Sequence, residues 1–109
     1  MKGKIVLVPF PFTDLTTAKL RPALVIYEGE KDAVMAFISS RVPPELCDVD
    51  VLITKERASL AKAGLKLDSV IKLDKIATVA KDLIVGELGE LDGETRREVN
   101  RKLRRIMEL

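Results

Sequence analysis

A mainly β chain that curls into a small sheet or barrel, closed by one C-terminal helix, is the fold that three features of the sequence predict. Apolar runs of strand length recur between Ile5 and Val85, separated by turn signals every ten or so residues. A sustained helical stripe begins only after Asp92, where Val99, Leu103, Ile106 and Met107 fall on one side. The chain has 109 residues and is 47% hydrophobic, enough for one core and too little for two ordinary ones, so residues 1–109 are read as a single domain.

The elements follow in order. Ile5 to Val8 reads as a strand that stops or reaches an edge at Pro9 and Pro11, because proline has no backbone donor for a central ladder. Phe10 and Phe12 alternate with those prolines, so both rings point to one side and either close the core or line a groove; the core is the expected place. Thr13 to Leu20 is polar and aperiodic and reads as a loop. Arg21-Pro22 then opens a second strand through Ala23-Leu24-Val25-Ile26, since proline pushes the preceding residue toward extended geometry. Glu28-Gly29-Glu30-Lys31-Asp32 is a hairpin turn, and Ala33 to Ile38 is the returning strand.

Val49, Val51 and Ile53 alternate with Asp50 and Leu52 as a half-buried strand. Thr54 to Ala63 reads as a short helix capped by Thr54 and ended by Gly64. Ser69 to Asp74 is a strand with Ile71 and Leu73 on one face and Lys72 and Asp74 on the other. A further short strand is expected at Ile76 to Val79, and Leu83-Ile84-Val85 reads as an apolar piece before a turn at Gly86. Asp92 is the expected N-cap of the terminal helix.

Composition narrows the chemistry. There is no histidine, which removes Ser-His-Asp hydrolysis, histidine acid–base work and histidine-bound zinc. The lone Cys47 permits no internal disulfide and suits a reducing compartment. No apolar run approaches the roughly 20 residues of a membrane helix, and the first residues lack a signal-peptide core, so a cytoplasmic protein without a membrane partner is expected. The net charge of +2 argues little by itself, but from Lys55 onward 13 Lys and Arg stand against 10 Asp and Glu.

Two readings stay open for the candidate residues taken singly. Arg21 is either a solvated residue closing a turn or a guanidinium on a rigid lip, placed to grip a phosphate with its two-pronged donor fork. Ser39 and Ser40 either open the loop toward Pro43-Pro44 or donate to a phosphate oxygen. Lys72 and Asp74, a cation and a carboxylate side by side on one strand face, are either a surface ion pair or part of a site.

Gly3-Lys4-Ile5-Val6-Leu7-Val8-Pro9-Phe10-Pro11-Phe12-Thr13-Asp14, followed by the Arg21-Pro22 strand, resembles the N-terminal signature of the PemK/MazF family of toxin endoribonucleases. Ala33 to Ser39, Asp68 to Asp74 and Thr78 into the helix are similar to further family blocks in family order, and the Pro9–Phe12 stretch is most like the PemK-like subgroup. The resemblance implies an SH3-like barrel with a C-terminal helix, assembled as a homodimer, that cuts single-stranded RNA and is inhibited by an acidic antitoxin protein lying across the groove near Arg21. It matches Arg21 to the family's catalytic arginine and Ser39 to a position where members carry threonine. Lys72-Leu73-Asp74 matches an Arg-x-Asp pair of another branch, with lysine in place of arginine. Arg21, Ser39 and Asp74 are thus the expected catalytic residues, and Thr13, Pro22, Ser40 and Lys72 are expected to meet substrate.

The chemistry available fits attack by the substrate's own 2′-hydroxyl, with Asp74 as base, Arg21 stabilising the phosphorane and Ser39 donating to a phosphate oxygen. No cofactor and no metal is expected in that scheme. The alternative class is a small barrel that binds RNA or protein without cutting, supported by the thin catalytic inventory and by only one Tyr and three Phe for base stacking.

Overall fold

The computed structural model describes residues 1–10, 19–56 and 58–109, and in them six strands form one curled antiparallel sheet, a half-barrel. The strands are β1 (Lys4–Phe10), β2 (Lys19–Glu28), β3 (Asp32–Ser39), β4 (Asp50–Ile53), β5 (Ser69–Ala80) and β6 (Gly86–Glu90), in the spatial order β4-β5-β3-β2-β1-β6. Helix α1 (Ala58–Lys62) joins β4 to β5, a single 3₁₀ turn (Lys81–Leu83) joins β5 to β6, and α2 (Gly93–Met107) ends the fold. The predicted mainly β fold with a terminal helix is what the chain forms. The expectations for Pro11, Phe12, Thr13 and Asp14 fall outside the described residues.

Each face of the sheet has its own apolar cluster, because successive side chains of a strand point to opposite sides. Ile5, Leu24, Ile38, Val51, Ile71 and Leu73 pack on one face beneath Val99, Leu103 and Ile106 of α2. Val6, Val8, Ala23, Val25 and Met35 gather on the other face, with Phe37 at its margin. A fully buried Ile or Leu stabilises by roughly 1.5–3 kcal/mol relative to exposure, so the first cluster fixes where α2 lies. The helix begins as expected: Asp92 Oδ1 accepts the Thr95 backbone N–H at 3.0 Å. Met107, expected on the apolar stripe, is 55% exposed at a groove that it shares with Ile26, Tyr27, Val34 and Ile76.

Two prolines decide where pairing ends. β1 runs through Pro9 to Phe10, past the expected stop at Val8. The Leu7 carbonyl accepts from Val85 N, so the polar groups of Leu7, and by alternation those of Pro9, point toward the β6 side. Pairing with β6 stops at Leu7↔Gly86, so the donor that Pro9 lacks would have faced an open edge. Pro22 lies opposite Leu7 with its backbone turned the other way, toward β3, and pairing with β3 stops next door at Ala23↔Phe37.

Other expectations need correction. β2 starts at Lys19, inside the stretch read as loop, because Lys19 and Leu20 pair with Phe10 and Pro9. The piece expected at Ile76 to Val79 is the second half of one long strand, β5, whose pairing with β3 jumps from Phe37↔Lys72 to Ala36↔Ile76 and leaves Leu73, Asp74 and Lys75 as a bulge. Leu83 to Val85 is 3₁₀ turn and connection, and β6 starts at Gly86, the residue taken for a turn. Helix α1 starts at Ala58, too late for Thr54 to cap it; Asp68 Oδ1 instead accepts the Lys55 N–H at 2.7 Å. Gly64 does end that segment, with φ +74, and its Cα lies against the Leu88 carbonyl, while Gly89 lies against the Lys62 carbonyl. The two glycines therefore let α1 touch β6 backbone to backbone.

Candidate functional site

Arg21 is the third residue of β2 and exposed, standing just beyond the point where β2 separates from β3. Its alternation partners Ala23 and Val25 belong to the cluster on the face away from α2, so Arg21 stands at the open end of that face. Val8 lies directly opposite on β1. On β3, two residues beyond the last pair, Ser39 has the same parity as Phe37 and Met35 and shares this face. Ser39 Oγ accepts the Arg41 N–H at 3.1 Å, which forms a local turn and leaves the hydroxyl proton available to donate.

Two aromatic rings floor this end. Phe10 and Phe37 lie with ring centroids 5.3 Å apart at an interplanar angle of 53°. Phe10 is 45% exposed, so the ring expected in the core lines the open face.

The transverse row Ala23–Phe37–Lys72–Asp50 crosses four strands on the same face. Lys72 Nζ donates to Asp50 Oδ1 at 2.6 Å, and the Asp50 side chain has no solvent exposure while that of Lys72 keeps 25%. The second Asp50 oxygen, Oδ2, accepts the Cys47 N–H at 2.9 Å. From α2, Lys102 Nζ donates to the Asp50 backbone carbonyl at 2.6 Å. Burial pushes the Asp50 carboxyl upward, but the Lys72 hydrogen bond, the Cys47 N–H and the charges of Lys72 and Lys102 outweigh it and hold the group below its ordinary value. The same bond to Asp50 raises Lys72, against the effect of burial and with a smaller contribution from Asp74.

The carboxylate that holds Lys72 is therefore Asp50, not Asp74. Asp74 is exposed in the β5 bulge, where alternation is broken immediately after Lys72. Asp50, read as the outward residue of a half-buried strand, is 1% exposed. Its role could not be found from the sequence, since its partner is 22 residues away and meets it only through the β4–β5 register. Pro22 lies on the opposite face from Arg21 and is half-buried, and Ser40 is exposed at the bend after β3. The fold thus brings Arg21, Ser39 and Lys72 to one face and places Pro22 on the other.

This face carries two cationic side chains, Arg21 and Lys72. From ladder spacings, the Arg21 and Lys72 backbones stand on the order of 10 Å apart, two strands over and offset along the strand, within common reach of a nucleic-acid backbone. Among the described residues no helix is long and apolar enough to cross a membrane.

Residues 1–107 match the family model described as PemK-like, MazF-like toxin of type II toxin-antitoxin system. Solved structures share the fold. A mycobacterial endoribonuclease in complex with its cognate antitoxin superposes with a TM-score of 0.76 at 17% identity, over 100% of this chain and 95% of that one. The Mycobacterium tuberculosis toxin MazF-mt6 gives 0.75 at 17% identity over 97% of each chain, and MazF from Deinococcus radiodurans gives 0.72 at 19% over 99% and 96%. At these identities the likeness carries the fold alone. No curated sequence matches the chain significantly.

Proposed function

The chain belongs to the PemK-like, MazF-like toxin family of type II toxin–antitoxin systems, and from that premise we propose that it is a cytoplasmic endoribonuclease that cuts single-stranded RNA by attack of the 2′-hydroxyl, without a metal. The observation that carries the reading is the exposed Arg21 guanidinium at the open end of β2, on one face with Ser39 and Lys72. Its fork matches two non-bridging phosphate oxygens, and its charge offsets the negative charge that grows on the phosphorane. Ser39 donates its remaining proton to a phosphate oxygen. Asp74, exposed beside Lys72, is the base for the 2′-hydroxyl; Asp50 does not serve, because both its oxygens are engaged and it is shut off from solvent.

The test is product chemistry. Purified protein incubated with a long single-stranded RNA in EDTA is expected to leave a 2′,3′-cyclic phosphate upstream and a 5′-hydroxyl downstream, and a deoxyribose before the scissile phosphate is expected to block cutting. Products with 5′-phosphate ends, or activity lost in EDTA and restored by Mg²⁺, replace this mechanism with metal-assisted hydrolysis. Binding with no cutting at all favours the non-catalytic module.

The partners proposed are an acidic antitoxin protein across the Arg21 face and a second copy of the chain. For the second copy the support is an apolar groove of about 590 Å³ that includes Ile26, Tyr27, Val34, Ile76, Leu103 and Met107, with Tyr27 57% exposed. Light scattering is expected to show a dimer that Tyr27→Asp with Met107→Asp converts to a folded monomer. A wild-type monomer at working concentrations removes this part of the proposal.

A further inference from the structure

We infer that Asp50 is a positioning residue, which turns Lys72 from a mobile surface ammonium into a fixed phosphate-binding group beside Arg21. The inference rests on the RNA-cleaving reading above and adds to it a residue outside the matched motifs. A lysine has four carbons of free rotation and about 2 kcal/mol of rotamer entropy to lose when it holds a ligand. Here that freedom is already gone. Nζ is held at 2.6 Å by a carboxylate with no solvent exposure, which is itself anchored by the Cys47 N–H at 2.9 Å.

An ammonium has three donors, and Asp50 Oδ1 takes one. The others belong to a side chain that keeps 25% exposure on the face that carries Arg21 and Ser39. Lys102 reaches the Asp50 carbonyl from α2 and is itself paired with Glu98 at 3.5 Å, so it braces the Asp50 backbone from behind the sheet, while the net positive charge of this face is that of Arg21. Register holds the lysine as well. Lys72 sits at the last regular pair before the β5 bulge, so its direction is set by the Phe37 and Asp50 pairings on both sides and not by the irregular chain that follows. Asp50 itself does not touch substrate; it acts through Lys72.

The experiment is a double-mutant cycle on RNA binding. The probe is a fluorescein-labelled, random-sequence, single-stranded 2′-O-methyl RNA, which cannot be cut through a 2′-hydroxyl, and anisotropy is read across a salt series on wild type, K72M, D50N and D50N/K72M, each checked for folding by thermal melt. K72M is expected to weaken binding about tenfold and to reduce the slope of log Kd against log salt by about 0.7, one phosphate contact on a single strand. D50N keeps the Lys72 charge, yet it is expected to weaken binding by about fivefold or more, and by less than about twofold once K72M is present.

Equal D50N effects in both backgrounds, or K72M binding like wild type, overturn the inference. If D50N does not fold, D50E takes its place: it keeps the charge and displaces it by one methylene, and the same dependence on Lys72 is required of it. Cleavage by wild type and R21A, run alongside, separates the failure of this inference from the failure of the functional reading. RNA cut by wild type, lost in R21A and unaffected by K72M sinks this inference alone, whereas wild type that neither binds nor cuts RNA removes the functional reading beneath it.

Discussion

Arg21→Ala is expected to lower RNA cleavage by at least about 10²–10³-fold, the usual effect of deleting one donor aimed at developing charge. Stability is expected to change by at most about 0.5 kcal/mol, because the side chain is exposed at the strand entrance and its neighbours Ala23 and Val25 carry the packing. Arg21→Lys is expected to stay poor, since an ammonium keeps the charge and loses the fork. End mapping on a long RNA gives the first number and a denaturant melt gives the second. A variant that unfolds would make Arg21 a structural residue and end its assignment to chemistry.

Gly64→Ala is expected to destabilise the fold by about 3 kcal/mol, or a fall in Tm of roughly 12–20 °C for a chain of this size. Two costs add. At φ +74 an alanine Cβ crowds its own backbone, and the same Cβ collides with the Leu88 backbone carbonyl, which cannot swing aside as a side chain can. Gly89→Ala meets the Lys62 and Ala63 backbone from the opposite side and is expected to behave similarly. Gly86→Ala is the control: a Cβ there meets nothing within 4 Å, and Tm is expected to hold. Equal melting of all three variants would show that the α1–β6 contact contributes little.

These glycines also mark how far the sequence could be read. Punctuation was legible wherever one residue settles the local backbone: Gly29 turned the hairpin, Asp92 capped α2, and Gly64 ended α1. Alternation was legible where both partners are regular, so Ile71 went to the core face as expected, and Leu73, the first bulge residue, still follows it. What escaped was set by pairing between distant segments. The β5 bulge merged two expected strands and removed Asp74 from the regular alternation that seemed to pair it with Lys72. Asp50 looked like an outward polar residue because period-2 patterning cannot tell an exposed position from one covered by a facing lysine. Phe10 looked like core because a ring in the last pair of a ladder, past the point where β6 leaves β1, has no local signature.

Pro9 and Pro22 carry a consequence for recognition. An exposed strand edge is a template: any extended peptide with free amides can extend the sheet, through contacts blind to side-chain identity. At the Arg21 end, both edges that could be recruited have a missing rung, Pro9 on the outward side of β1 and Pro22 on the side of β2 that faces away from β1. Strand addition is weakened beside Arg21 by the donors that these two prolines lack. Among the described residues, a guest at these two edges is therefore chosen more by its side chains or its phosphates than by backbone rungs, with affinity that falls as salt rises.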